Sequence, residues 1–238
     1  MPGPASIRDV NALILAGGDA PVRDYLAANW PSWSDDIGLV IAADGGARHG
    51  PGLGLAIDLW VGDGDSIDPA ALTALRDAHV EIERSPVEKD ETDIELAIRA
   101  ALVRGAAGLV VIGATGGPRI DHEIANLALL AIPELDGMEV TAYTPTSKLT
   151  LLRGPAAGRA GRSPGATVAG RGPGIISLVP HRGDAVGVTT RGLRYPLHDE
   201  TLSFGAPRGI SNESDGPWEV RLRGGLLLVI ETPATIGR

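Results

Sequence analysis

The sequence contains no cysteine. That excludes disulfides, thiol nucleophiles and Cys-ligated zinc, while leaving the compartment open. It also lacks an excess of positive charge: 21 Lys and Arg stand against 30 Asp and Glu, a formal charge of −9. A nucleic-acid partner is therefore disfavoured, because phosphate backbones are held by a basic face. A small polyphosphate is not excluded, since a divalent metal can sit between carboxylates and phosphates. No basic segment followed by a long apolar run opens the chain, and the apolar stretch at 12–16 is too short for a signal peptide or a membrane span. The expected compartment is the cytoplasm, with no membrane partner. No internal repeat stands out.

What is present is an ordinary globular composition, 43% hydrophobic and 21% charged, long enough for one large domain or two modest ones. The 33 Gly and 18 Pro are spread between apolar runs and therefore read as turns. Short apolar runs at 12–16, 39–43, 58–61, 80–83, 109–112 and 139–143 predict buried strands of a parallel α/β sheet. Two helices are predicted between them. Residues 93–103 carry an apolar stripe of Ile94, Ala97, Ile98, Ala101 and Leu102, opened by the capping-box pair Thr92 and Glu95. Residues 121–132 place Ile124, Leu127, Ala128 and Ala131 on the expected buried side.

After Pro145 the helical period disappears. Short β-like stretches at 148–152, 166–169, 175–179, 185–190, 218–222 and 226–231 are broken by Gly and Pro. Their spacing predicts an antiparallel sandwich or barrel. The expected organisation is a Rossmann-like parallel α/β domain over 1–147 and an antiparallel β-sandwich domain over 148–238. The segment 154–174, rich in Gly, Ala, Arg and Pro, is expected to be a hairpin or loop.

The acidic residues fall at strand ends. Asp44 opens Asp44-Gly45-Gly46 after an apolar run. Asp63 and Asp65 lie in Gly62-Asp63-Gly64-Asp65-Ser66, and Asp90 and Asp93 in Lys89-Asp90-Glu91-Thr92-Asp93. Asp121 ends the run from Gly113 through Gly116, Gly117 and Arg119 that leads into the second helix. Each has an ordinary structural reading: Asp-Gly pairs make turns, an acidic first turn suits a helix dipole, and paired glycines shape a strand-to-helix turn. Their shared position is the signal. Carboxyl ends of parallel strands line one edge where ligands bind, and like charges gathered there imply a cation. Backbone N–H groups near Gly116 and the Arg119 guanidinium suit a polyphosphate. Neither GxxxxGK[ST] nor GxGxxG occurs, so this is no P-loop and no standard dinucleotide fingerprint. The stretch Leu13-Ile14-Leu15-Ala16-Gly17-Gly18 resembles the start of a sugar nucleotidyltransferase signature, but the basic continuation is missing and it reads as a first strand and turn.

Taken together, these motifs resemble the thiamine pyrophosphokinase family. Its DGG, GD-x-DS, KD-x-TD and GATGG-x-R-x-DH-x-x-x-N elements correspond to 44–46, 62–66, 89–93 and 113–126. Its C-terminal T-x-GL-x-(Y/W)-x-L and (G)-x-SN stretches correspond to 189–197 and 209–212. One departure is Gly64, where the family usually has an aromatic residue.

The resemblance implies transfer of the β,γ-diphosphate of ATP to the hydroxyl of thiamine, with Mg²⁺ as cofactor. It implies metal binding by Asp63, Asp65 and Asp93, and catalytic parts for these with Arg119 and Asp121. Asp121 stays open between orienting the hydroxyl and joining the metal shell. Nucleotide contacts fall to Asp44, Gly45, Gly46, Ser66, Thr92, Gly116, Gly117, His122 and Asn126. Thiamine contacts fall to Tyr195, by stacking, and to Ser211 and Asn212. A homodimer with the thiamine site near its interface is also implied. Two rivals are a diphosphokinase for another small alcohol, such as a pterin, and a non-catalytic thiamine or nucleotide sensor. Tyr195 with Ser211-Asn212 argues against the first, and the four acidic motifs against the second.

Overall fold

A computed structural model describes residues 10–155 and 165–234. Within it the chain divides into two compact units, one of residues 1–129 with 142–145 and one of 130–141 with 146–238. In the first unit the order is β1 (Asn11–Leu15), α1 (Arg23–Asn29), β2 (Ile37–Ala43), α2 (His49–Leu53) and β3 (Leu59–Gly62). There follow α3 (Pro69–Asp77), β4 (Glu81–Arg84), α4 (Asp93–Val103), β5 (Gly108–Ile112) and α5 (Ile120–Leu129). The strand β6 (Glu139–Tyr143) has its last two residues in this unit and the rest in the other.

Strands β5, β1, β2, β3 and β4 lie side by side in that order, all parallel. A parallel sheet covered on both faces needs strands apolar on both faces. Ala12 to Leu15 and Leu109 to Ile112 meet that demand and are buried. The parallel direction brings the carboxyl ends of β1, β2, β3 and β5 to one edge, where the acidic and glycine-rich motifs begin.

Two helices start where side chains cap them. Asp68 Oδ1 accepts from Ala70 N at 2.7 Å, with Pro69 in the first turn of α3. Thr92 Oγ1 accepts from Glu95 N at 3.3 Å at the start of α4, but only this half of the capping box forms. The Glu95 carboxylate instead pairs with Arg99 at 2.8 Å. On α4, Ile94, Ala97, Ile98 and Ala101 are buried as the stripe predicts, and Leu102 only partly.

Helix α5 corrects the sequence expectation. It ends at Leu129 rather than 132, and Ile124 and Ala128, expected inside, are exposed. The inward face is instead centred on Asn126, with Glu123, Leu127 and Leu129 half-buried, while Ala131, beyond the helix end, is buried as expected. Polar bonds set this rotation: Asn126 Nδ2 donates to Ala114 O at 3.0 Å, and Glu123 accepts from Gly116 N at 3.1 Å. A buried amide that finds its partner overrides an apolar stripe, because leaving it unmatched is costly.

The second unit holds β7 (Lys148–Arg153), β8 (Ala166–Gly170), β9 (Gly174–Pro180), β10 (Ala185–Arg191), β11 (Glu200–Leu202), β12 (Asn212–Ser214), β13 (Trp218–Leu222) and β14 (Leu226–Pro233). One antiparallel set runs β12-β9-β14-β7 and the other β11-β10-β13-β8. Strand β9 alternates buried and half-buried residues, and its Ile176 and Leu178 pack with Val188, Val220, Leu222, Leu227 and Val229 in one core. That alternation is the mark of a sandwich strand. Of the Gly- and Arg-rich segment, 166–170 is strand β8, and 156–164 lie outside the described residues. No helix among the described residues is long and apolar enough to cross a membrane.

Candidate active site

A cavity of about 600 Å³ opens in the first unit at the carboxyl edge of the sheet. Its wall includes Asp44, Gly45, Asp63, Asp65, Ser66, Asp90, Thr92 and Asp93 from the acidic motifs. Gly116, Gly117, Arg119, His122 and Asn126 complete it from the glycine-rich motif and α5. Two expected residues are not on the wall. Gly46 is buried behind it, where a Cβ would stand 2.0 Å from the Leu15 carbonyl oxygen, so this glycine serves close packing. Asp121 lies outside and forks onto Arg119, with Nε–Oδ1 at 2.9 Å and Nη2–Oδ2 at 2.5 Å. That guanidinium holds the Asp121 carboxyl well below the usual carboxylate range.

Asp44 is the unusual residue. Its backbone is left-handed, φ 42°, a conformation a non-glycine residue adopts at a cost. Its side chain is buried; Oδ2 accepts from Ser66 N at 2.9 Å, and Oδ1 has no partner among the described residues. Burial pushes its carboxyl up to about 6. Asp44, Asp63 and Asp93 each offer a carboxylate oxygen, all within 4.8 Å of one another. Three hard oxygen donors and an unmatched buried oxygen fit a divalent cation such as Mg²⁺. Asp65, expected as a ligand, stands beside this triplet rather than in it, with Oδ1 accepting from Ser66 Oγ at 2.7 Å. The turn at Gly64 has φ 87°, which suits glycine and would strain a bulkier residue.

Lys89 closes the cluster. Its Nζ lies 3.0 Å from Asp63 Oδ2, 2.8 Å from Asp93 Oδ1 and 2.9 Å from Ser85 Oγ. Burial alone would raise the Asp63 carboxyl, but the hydrogen bonds from Lys89 and from Asp65 N hold it below its ordinary value. Burial likewise opposes the charge on Lys89, and its two carboxylate partners keep it raised.

Sequence reasoning gave no role to Lys89, Arg48 or Glu123, all on the wall. Arg48 donates to the carbonyls of Gly17, Gly18 (2.9 Å) and Gly45 (3.3 Å), tying the turn after β1 to the one after β2. The signal was their place in the sequence: Lys89 and Glu123 lie inside two of the motifs, and Arg48 two residues after a third.

In the second unit Tyr195 is exposed, with the Arg194 guanidinium 5.6 Å from its ring centroid. Ser211 has a left-handed backbone, and its N–H donates to Ser177 Oγ at 2.9 Å. Asn212 is buried and largely occupied. Its Oδ1 accepts from Tyr195 N and Glu213 N, and its Nδ2 donates to Tyr195 O. It fixes the Tyr195 backbone, so it is a positioning residue more than a free donor.

Comparison with known proteins finds one family along the chain. The family model described as thiamin pyrophosphokinase, catalytic domain, matches residues 31–142. The one described as thiamin pyrophosphokinase, vitamin B1 binding domain, matches 171–227. The thiamine pyrophosphokinase of Bacillus subtilis (strain 168) is 26% identical over 202 residues, which cover 84% of this chain and 87% of that one. Among solved structures, the thiamin pyrophosphokinase of Geobacillus thermodenitrificans is similar with a TM-score of 0.73 at 24% identity, covering 95% and 99% of the two chains. The yeast enzyme has a TM-score of 0.68 at 15% identity, covering 97% and 88%. With two models of one family taking in more than half of its length, the chain belongs to the thiamin pyrophosphokinase family of enzymes.

Proposed function

We propose that the cavity of the first unit binds ATP with Mg²⁺, and that the second unit supplies the recognition surface for thiamine. In the reaction, the thiamine hydroxyl oxygen forms a bond to the β-phosphorus and gives up its proton to solvent. The bond from that phosphorus to the oxygen shared with the α-phosphorus breaks, and AMP leaves with the electron pair.

Asp44, Asp63 and Asp93 are the residues to hold the metal, with Asp65 beside them. Bound there, Mg²⁺ supplies neutralisation of charge on the phosphate oxygens. Arg119, aimed by its fork with Asp121, adds a bidentate donor at the same wall, where Gly116 and Gly117 leave room for the phosphates. Asp121 is therefore assigned to positioning Arg119. Gly45, Ser66, Thr92, His122 and Asn126 shape the nucleotide's surroundings. Tyr195 offers its exposed ring to the cationic thiazolium, Ser211 offers its hydroxyl, and Asn212 holds Tyr195 in register.

A homodimer is part of this proposal, with the thiamine site near the interface. The exposed apolar side chains support it: Ile120 and Ile124 on α5, and Tyr195, Phe204 and Ile210 in the second unit.

The observation that carries the proposal is the Asp44–Asp63–Asp93 triplet with its unmatched buried oxygen. Its test is Asp63→Asn beside Asp65→Asn. Asp63→Asn is expected to lower kcat/KM by at least about a thousandfold, several kcal/mol of lost transition-state stabilisation. Asp65→Asn, outside the triplet, is expected to lose less. Steady-state kinetics on both, with circular dichroism to show retained fold, decides; a wild-type rate from Asp63→Asn contradicts the assignment.

A further inference from the structure

The acidic cluster already contains a cation, and it belongs to the chain. Lys89 lies in the segment before α4, and its side chain is only 11% exposed. Its ammonium touches one oxygen each of Asp63 and Asp93, two of the three carboxylates that converge within 4.8 Å. A divalent metal at this triplet would draw on the same two carboxylates. An ammonium makes its contacts near 2.8–3.0 Å, whereas Mg²⁺ demands oxygen at about 2.0–2.1 Å. The two cations cannot use the same oxygens in the same space.

We propose that Lys89 is the internal counter-ion of this cluster, holding Asp63 and Asp93 in place before the metal arrives and giving them up when it binds. The inference rests on the metal assignment above. Three carboxylates this close repel one another, and without a cation they would splay or take up protons. Lys89 prevents that while leaving Asp44 Oδ1 unmatched, so the cluster is neutralised only in part and keeps a demand for a stronger cation. The ammonium has somewhere to go. Ser85 Oγ, 2.9 Å from Nζ, is an uncharged partner that survives loss of both carboxylates, and the four-carbon stem is flexible. Lys89 also lines the cavity, so its charge, once released, stays beside any anionic substrate there. On this account Lys89 competes with the metal and organises its site at once.

The opposite expectation holds if Lys89 merely braces the fold. Removing a bracing residue weakens metal binding, because the carboxylates lose their arrangement; removing a competitor strengthens it. The test is direct titration of the full-length protein with Mn²⁺, without nucleotide, reading free Mn²⁺ by electron paramagnetic resonance. Lys89→Met and Lys89→Gln are both expected to bind Mn²⁺ roughly tenfold tighter than wild type. Lys89→Arg, which keeps the charge, is expected to bind no tighter than wild type. Metal-free Lys89→Met is expected to melt at lower temperature than wild type and to recover more on adding Mn²⁺. Lys89→Gln retains hydrogen-bond donors and serves where Lys89→Met does not fold. Affinity equal to or weaker than wild type in the charge-removing variants overturns the inference while leaving the metal assignment standing. Absence of Mn²⁺ binding by every protein, wild type included, overturns both.

Discussion

Tyr195 shows how far one residue can be argued. Its ring is exposed, its backbone is gripped on both sides by Asn212, and a guanidinium stands 5.6 Å from its face. In the proposed function the same ring is offered to the cationic thiazolium. A cation–π contact at a desolvated site is worth about 1 to 2 kcal/mol, or up to roughly thirtyfold in affinity. Tyr195→Ala is therefore expected to raise the KM for thiamine by up to about that factor and leave the KM for ATP nearly unchanged. Tyr195→Trp is expected to retain binding. Separate titrations of the two substrates check this; equal changes in both constants contradict it. The type of this residue was readable in the sequence, but its support was not. The sequence gives Asn212 as a ligand donor by position in a motif, and only three-dimensional placement shows its amide engaged with the Tyr195 backbone. Asp44 is similar. Its acidity and place after a strand were visible, whereas its left-handed backbone and unmatched oxygen depend on Ser66 and Trp60 arriving from β3 and the turn after it.

Among elements, those read most accurately carry their own signals. Helix α4 begins at Asp93 and ends at Val103, as its apolar stripe and Thr92 cap predict. The cap gives a stability prediction: Thr92→Ala should cost about 1 kcal/mol, moving the melting temperature down by roughly 2–4 °C. Urea denaturation with an unchanged slope and a lowered midpoint would check it, and an unaltered midpoint would contradict it. Strands β5 and β6 coincide with their apolar runs to within a residue, because burial on both faces writes itself into composition. Helix α5 was misread in orientation, since a stripe counts apolar residues and cannot see the Ala114 carbonyl that claims Asn126. Short elements were missed altogether. The helices α1 and α2 are 7 and 5 residues long, and β11 and β12 only 3 each, too brief for a period to register.

At the scale of the whole molecule, the sequence conveyed the change of texture near residue 145 and the gathering of acidic motifs, because both follow from order along the chain. It could not convey which carboxylates meet. Asp44 joins Asp63 through the pairing of β2 with β3, Asp93 arrives at the start of α4, and Asp65 bonds Ser66. The misread face of α5 bears on assembly. Ile120 and Ile124 lie one turn apart on the same exposed face, and a pair of this kind is better explained by a partner than by water. With the proposed homodimer formed across this face, Ile124→Glu is expected to give a monomer in light scattering after size exclusion, with the fold kept. A dimer unchanged by that charge would place the interface elsewhere.

The cavity of the first unit is proposed to direct attack to the β-phosphorus of ATP. Incubation of the purified protein with ATP, Mg²⁺ and thiamine, followed by separation of the nucleotides, tests it most directly. The account predicts AMP and thiamine diphosphate in equal amounts, with neither formed when Mg²⁺ is chelated. Formation of ADP with a thiamine monophosphate product, or thiamine-independent release of AMP, would contradict it.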